Sequence, residues 1–159
     1  GISAAVGMAL SAKLSGDSYR VYTLLGDGEI QEGQVWEAAM LAAHRKLDNL
    51  VVIVDNNNLQ IDGAIDEVNS PYPIDQKFEA FNFHVINVDG HDFDALDAAF
   101  KEAKATKGCP TAIIAKTVKG KGVSFMENQA SWHGAAPNDE QYETAMADLE
   151  KVGEALCQK

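Results

Sequence analysis

An aspartate between two glycines is the first feature of this sequence with a chemical use. Asp27 stands in Gly26–Asp27–Gly28, directly after the apolar run Val21–Leu25. At the end of a buried strand such a carboxylate points into a ligand crevice, and the glycines let the backbone approach a phosphate closely. Taken alone, the motif is more often an ordinary turn.

A run of asparagines follows a second apolar segment. Asn57 supplies an amide oxygen, and Leu59 supplies a backbone carbonyl two residues later. With Asp27 they offer three oxygen ligands, and Mg²⁺ prefers octahedral oxygen at about 2.0–2.1 Å, usually from one or two protein carboxylates plus substrate phosphates. This predicts a metal that joins the protein to a diphosphate. The alternative is a simple turn, since asparagine tolerates left-handed backbone.

The apolar pattern and the positions of Gly and Pro predict the elements that must position these groups. Apolar runs predict four strands, at Val21–Leu25, Leu50–Val54, His84–Val88 and Thr111–Ala115, and the second of them is continuous and β-branched. Helical periodicity predicts helices at about 2–15, 32–45 and 94–104, and a final one that ends near residue 156. Asp92 and Asn138 are the expected caps of the last two.

Strands alternate with helices, which predicts an α/β fold with a mainly parallel sheet and helices on both faces. Ligands of such sheets lie beyond the carboxyl ends of the strands. The segments expected at that edge are 26–33, 55–63, 89–92 and 117–137. The last is longer than ordinary connections, which favours a functional loop.

Composition narrows the class of protein. The 159 residues suit one domain, and 24 acidic against 13 basic residues give a net charge of −11. This charge argues against nucleic acid as a partner, because counterion release needs clustered Lys and Arg. No apolar run approaches the ~18 residues of a membrane span, so no membrane partner is expected. Cys109 and Cys157 predict free thiols and a cytoplasmic location.

A family resemblance rests on two motifs. Gly26–Asp27–Gly28 followed, one helix and one strand later, by Asp55–Asn56–Asn57 resembles the fingerprint of thiamine diphosphate enzymes. The rest of the chain is similar to transketolases in particular, whereas pyruvate dehydrogenase subunits and deoxyxylulose phosphate synthase share mainly the two motifs. The segments that carry this similarity are 26–39, His44, Leu47, Ile61–Gly63, 89–92, 119–122 and Trp132–Gly134.

The resemblance implies a role for each matching residue. Asp27, Asn57 and the Leu59 carbonyl ligate Mg²⁺, or Ca²⁺ in its place, and the backbone of Gly28 lies against the diphosphate. Lys119 and His133 lie near the cofactor phosphates and the sugar, where a compact positive charge and a proton-exchanging imidazole are useful. If the resemblance is ignored, Lys119 and His133 are interpreted as exposed loop residues. The full cofactor-binding set is Gly26, Asp27, Gly28, Glu32, Asn57, Leu59, Ile61, Lys119 and His133, with His133 as the candidate catalytic residue.

Four other polar residues receive supporting or structural interpretations. Glu32 can complement a helix dipole, and the resemblance places its position in an acidic network at a subunit interface, so it is expected only to support the site. His91 is expected to order the turn before the helix that Asp92 caps. His44 and His84 are expected to be structural.

The resemblance also implies an activity and a partner. The complete enzyme transfers a two-carbon ketol unit from a ketose phosphate to an aldose phosphate. A second domain binds the aminopyrimidine ring of thiamine diphosphate, and its glutamate activates the cofactor. That domain is expected on a partner subunit, in a dimer of heterodimers, or elsewhere in a longer chain. Gly1 is not Met and a helical pattern begins at once without a cap, so the family's N-terminal segment is expected to be missing.

Two other functions remain open at this stage. A truncated remnant that keeps the fold would be a non-catalytic thiamine diphosphate-binding or interaction domain. The presence of Asp27, Asn57, Lys119 and His133 argues against a loss of catalytic function, whereas the segments expected to be missing argue for it. An α/β nucleotide-binding protein is disfavoured, because the sequence has neither a Gly-x-Gly-x-x-Gly pattern nor a Walker Lys-Ser/Thr pair.

Overall fold

The computed structural model describes residues 1–157. Its strands are β1 Val21–Gly26, β2 Leu50–Asn56, β3 Leu59–Gln60, β4 Gly63–Ala64, β5 His84–Asp89 and β6 Thr111–Lys116. Its α-helices are α1 Ile2–Ser15, α2 Gly33–His44, α3 Ile65–Val68, α4 Ile74–Ala80, α5 Phe93–Ala105 and α6 Asp139–Cys157, with 3₁₀ turns at Glu29–Gln31 and Ala130–His133. Within residues 1–157, no helix has the length and apolar character needed to cross a membrane.

Four strands form one parallel sheet in the order β1, β2, β6, β5. The strand β6 follows β5 in the chain but lies between β2 and β5. The register pairs Gly26 with Asp55 and Asn56 with Lys116, so the polar residues that end these strands meet at one edge. The α/β fold with a mainly parallel sheet is therefore confirmed.

Helices pack on both faces of this sheet. The larger core lies between one face and the helices α1, α2 and α4, and the smaller core lies between the other face and α5. In β2 the side chains alternate between the two cores, with Val52 in the first and Val51 in the second. Burial of each such side chain stabilises the fold by about 1.5–3 kcal/mol, which fixes the strand register and with it the alignment of the strand ends.

The four predicted strands are present, and each extends one or two residues beyond its apolar run. Backbone pairing continues past the last apolar side chain because a parallel ladder does not depend on side-chain type, and this carries Asp55 and Asn56 into β2. The Asp92 carboxylate caps α5 by accepting from the N–H groups of Asp94 and Ala95 at 2.9 and 3.0 Å. The amide oxygen of Asn138 accepts from the N–H of Gln141 at 2.9 Å, as a cap of α6 does.

The segment between β2 and β5 contains elements that the sequence pattern did not predict. The strands β3 and β4 form a hairpin of two residues each, and α3 and α4 span four and seven residues. Elements this short do not complete enough periods to stand out as strands or helices. The hairpin folds over the carboxyl edge of the sheet and completes one wall of the site there.

Candidate functional site

A cleft of about 490 Å³ opens at the carboxyl edge, where the ends of β1 and β2 meet the loop after β6. Three of the four segments expected at this edge supply its walls. The fourth, residues 89–92, contributes Gly90 and His91 to an adjoining cleft instead. The residues that line the main cleft are Gly26, Asp27, Gly28, Glu29, Asp55, Asn57, Leu59, Gln60, Ile61, Lys119 and His133.

Asp27 is buried at the end of β1, with only 1% of its surface exposed. Its Oδ2 accepts hydrogen bonds from the N–H of Asn58 at 2.6 Å and from the side-chain amide of Asn56 at 3.0 Å. Its Oδ1 accepts from the N–H of Gly28 at 2.9 Å and keeps further acceptor capacity. Asp27 therefore organises the turn around it and can also offer an oxygen to a ligand.

Burial raises the pKa of the Asp27 carboxyl above 3.8, because removal from water disfavours its charged form. Hydrogen bonds from Asn56, Asn58 and Gly28 oppose this rise, and the nearby negative charge of Asp55 adds to it. Among residues 1–157, no Lys, Arg or His forms an ion pair with Asp27. A bound cation would therefore compensate the negative charge of the buried Asp27 carboxylate, which has no ion-pair partner within residues 1–157.

The asparagine run lies beside Asp27, and its middle member, Asn57, lines the cleft. The side-chain oxygen of Asn57 accepts from the N–H of Leu59 at 2.9 Å, and its amide donates to Asp55 at 3.2 Å. Asn58 has a φ of 64°, a left-handed conformation that asparagine tolerates. Asn56 ends β2 and the chain bends at Asn58, which places Asn57 and Leu59 in the cleft.

Gly28 allows the hairpin to approach the end of β1. A Cβ at this position would lie 2.8 Å from the Cβ of Gln60, closer than real contacts permit. Because its N–H is already bonded to Asp27, Gly28 offers the cleft no free backbone donor. The glycine is therefore required by the close approach of the hairpin.

The long loop after β6 is folded back on itself and carries Lys119 and His133 to the cleft. Gly120 has a φ of 72°, and a Cβ there would lie 2.6 Å from the backbone of Met126. The N–H of Asn128 donates to the carbonyl of Lys119 at 3.0 Å, across the base of the fold. The loop is therefore an ordered part of the site.

His91 has a different position from the one expected. The N–H of Val118 donates to its Nε2 at 2.8 Å, so this histidine holds the start of the long loop. The turn before α5 is ordered instead by the carboxylates of Asp89 and Asp92. His84 forms a 2.6 Å pair with Glu102 away from the cleft, in agreement with a structural role.

Glu32 is the one predicted site residue that does not line the cleft. The 3₁₀ turn Glu29–Gln31 directs the chain away before it reaches Glu32, which lies exposed at the start of α2. Glu29 faces the cleft in its place, and its carboxylate accepts from the N–H of Gly26 at 3.1 Å. Gln60 was also missed, although its neighbours Leu59 and Ile61 were both predicted to line the site.

The cleft combines three carboxylates, from Asp27, Glu29 and Asp55, with the positive charge of Lys119 and the titratable His133. A diphosphate is repelled by such a wall unless a cation lies between them. No group of three or more His, Cys, Asp or Glu side chains in residues 1–157 is arranged to hold a metal. The donors that fit are instead one carboxylate, the Asn57 amide oxygen and the Leu59 carbonyl, a hard-oxygen set that suits Mg²⁺ or Ca²⁺ completed by phosphate oxygens.

Comparison with known proteins gives consistent matches. The profile of the family described as transketolase, thiamine diphosphate binding domain, matches residues 1–151. The chain is 44% identical over 153 residues to the 6-deoxy-6-sulfo-D-fructose transketolase subunit SqwG of Clostridium sp. (strain MSTE9), covering 96% of this chain and 56% of that protein. It is 42% identical over 156 residues to an apulose-4-phosphate transketolase subunit from Phocaeicola vulgatus, covering 98% and 56%. The chain thus spans about half the length of these relatives.

The fold of this chain is also similar to that of solved transketolase structures. The transketolase of Campylobacter jejuni superposes with a TM-score of 0.86 and 35% identity over 92% of this chain. The match covers 24% of the Campylobacter chain, so the likeness concerns one region of a larger protein.

Proposed function

Because the chain belongs to the family of transketolase thiamine diphosphate-binding domains, we propose that residues 1–159 form a single domain that holds thiamine diphosphate through a divalent metal at the carboxyl-edge cleft. The observation that carries this proposal is the meeting of Asp27, Asn57 and Leu59 in one cleft with Lys119 and His133. They come from three segments, the ends of β1 and β2 and the loop after β6, and the parallel register brings these segments together.

Protein oxygens would hold the metal, which would supply the positive charge that a diphosphate needs beside these carboxylates. Asp27, Asn57 and the Leu59 carbonyl hold Mg²⁺, or Ca²⁺ in its place. Lys119 neutralises phosphate charge that one divalent cation leaves uncompensated. Gly26, Gly28 and Ile61 shape the walls, and Glu32 contributes only from outside the cleft.

The proposed activity is transfer of a two-carbon ketol unit from a ketose phosphate to an aldose phosphate. Thiamine diphosphate, when bound, supplies the electron sink for this chemistry. His133, exposed at the rim, would exchange a proton with a sugar hydroxyl or donate to a phosphate. Relatives named as transketolase subunits support a partner subunit. We propose that this partner carries the pyrimidine-binding half and that the assembly is a dimer of heterodimers.

The pKa of Asp27 provides a test of the metal site. Since the metal needs the ionised carboxylate, and burial raises its pKa above 3.8, apparent Mg²⁺ affinity should fall as pH is lowered through that raised value. The folding stability of the metal-free chain depends on pH in the opposite direction. The stability that the raised Asp27 pKa contributes is present below 3.8 and is lost as pH rises through the pKa of the folded state. Mg²⁺ titrations at saturating cofactor, from about pH 7 to about pH 4, measure this dependence.

Free thiamine diphosphate also loses Mg²⁺ affinity in acid, so its binding constants in the same buffers are the control. A protein whose Mg²⁺ affinity follows only the free cofactor would show that Asp27 is not a metal ligand.

A further inference from the structure

Tyr72 belongs to none of the motifs that predicted the site, yet its hydroxyl reaches the two asparagines that hold Asp27. It lies between α3 and α4, and its ring packs against the larger core. The hydroxyl donates to the side-chain oxygen of Asn58 and accepts from the side-chain amide of Asn56. One oxygen thus joins the two residues that flank Asn57.

The same two asparagines hold Asp27. The amide of Asn56 that reaches Tyr72 also donates to Asp27 Oδ2 at 3.0 Å. The N–H of Asn58, whose backbone is left-handed at φ 64°, donates to that same oxygen at 2.6 Å. Asn58 therefore contacts both groups: its side-chain oxygen accepts from Tyr72, and its backbone N–H donates to the Asp27 carboxylate.

We propose that Tyr72 is a positioning residue for the divalent metal: its hydroxyl fixes the Asn56–Asn58 turn, which orients the oxygens of Asp27 and Asn57. This rests on the proposed function, since it concerns the same metal. The half-buried tyrosine ring packs against the larger core, and this packing holds the hydroxyl against the turn. Groups that orient metal ligands in this way typically contribute about 10- to 100-fold in metal affinity.

The test is Tyr72→Phe, which removes only the hydroxyl and keeps the packed ring. Thiamine diphosphate binding by the full chain is measured over a series of Mg²⁺ concentrations. The Mg²⁺ concentration for half-saturation should rise about 10- to 100-fold, and saturating Mg²⁺ should restore cofactor binding. Thermal melts without metal report the folding of each variant.

Tyr19→Phe is the matched control. Its hydroxyl donates to the carbonyl of Met8 at 3.1 Å, so this variant loses one tyrosine hydrogen bond away from the cleft. Its Mg²⁺ dependence should equal that of the unmodified chain. Asn58→Gly is a second probe, because glycine keeps the left-handed backbone and removes the acceptor of Tyr72; it too should raise the Mg²⁺ requirement.

The outcomes separate the two proposals. If the unmodified chain binds thiamine diphosphate with Mg²⁺ and Tyr72→Phe does so at the same Mg²⁺ concentrations, the positioning role is wrong while the proposed function stands. A lower melting temperature with an unchanged Mg²⁺ requirement would also overturn it. If the unmodified chain shows no Mg²⁺-dependent binding, the proposed function itself fails.

Discussion

Asp27→Ala is expected to reduce Mg²⁺-dependent binding of thiamine diphosphate by more than about 100-fold, because it removes the only carboxylate among the proposed metal ligands. It should also lower the free energy of unfolding. A carboxylate that points into a ligand crevice is expected to serve binding more than folding, but Asp27 is 1% exposed and accepts three hydrogen bonds. Buried donors left without an acceptor cost about 1–3 kcal/mol, offset in part by removal of a buried charge.

Two further variants separate binding from folding. Asp27→Asn keeps an acceptor oxygen and loses the charge, so it should lose the metal with a smaller effect on stability. Asp62→Ala removes an exposed carboxylate that does not line the cleft and should change neither. Calorimetry and chemical denaturation measure the two quantities. Full metal-dependent binding by Asp27→Ala would show that the aspartate is only a structural part of the turn.

Ketol transfer is expected to appear only when this chain is combined with a pyrimidine-binding transketolase subunit. In the proposed assembly this chain holds the diphosphate and the metal, and the partner holds the aminopyrimidine ring and supplies the activating glutamate. General acid–base groups contribute about 10²–10⁴-fold to rate. Addition of the partner should therefore raise the rate with ketose and aldose phosphates at least ~100-fold above that of either component.

The matched control is the same mixture made with Asp27→Ala, which should stay inactive at ordinary Mg²⁺ concentrations. Ketol transfer by the purified chain without any co-purified subunit would contradict the division of the site. A matched partner that binds thiamine diphosphate with this chain but gives no activity would favour a non-catalytic binding domain.

The sequence predicts the fold well because the parallel sheet is encoded by long apolar runs. Leu50–Val54 is continuous and β-branched, which identified β2 as a buried inner strand and so placed Asp55–Asn58 at the ligand edge. Eight of the nine predicted site residues line the cleft for the same reason: they follow strand ends or lie in the long loop.

What the sequence did not predict depends on short elements and on contacts between distant residues. Because of the 3₁₀ turn Glu29–Gln31, the cleft is lined by Glu29 and not by Glu32. A single 3₁₀ turn is too short to produce a periodic pattern in the sequence. Tyr72 reaches Asn56 and Asn58 only because α3 and α4 fold its segment back over the sheet. His91 bonds to Val118, 27 residues later, a contact that sequence spacing does not reveal.

The most direct test of the central claim is calorimetric titration of the full chain with thiamine diphosphate, first with saturating Mg²⁺ and then with excess chelator. The cleft holds three carboxylates against Lys119 and His133, so the diphosphate should bind at one site with Mg²⁺ present and give no specific heat when the metal is removed. Readdition of Mg²⁺ or Ca²⁺ in excess of the chelator should restore the binding. Equally tight binding in the presence of chelator would contradict the metal-bridged site and with it the proposed function.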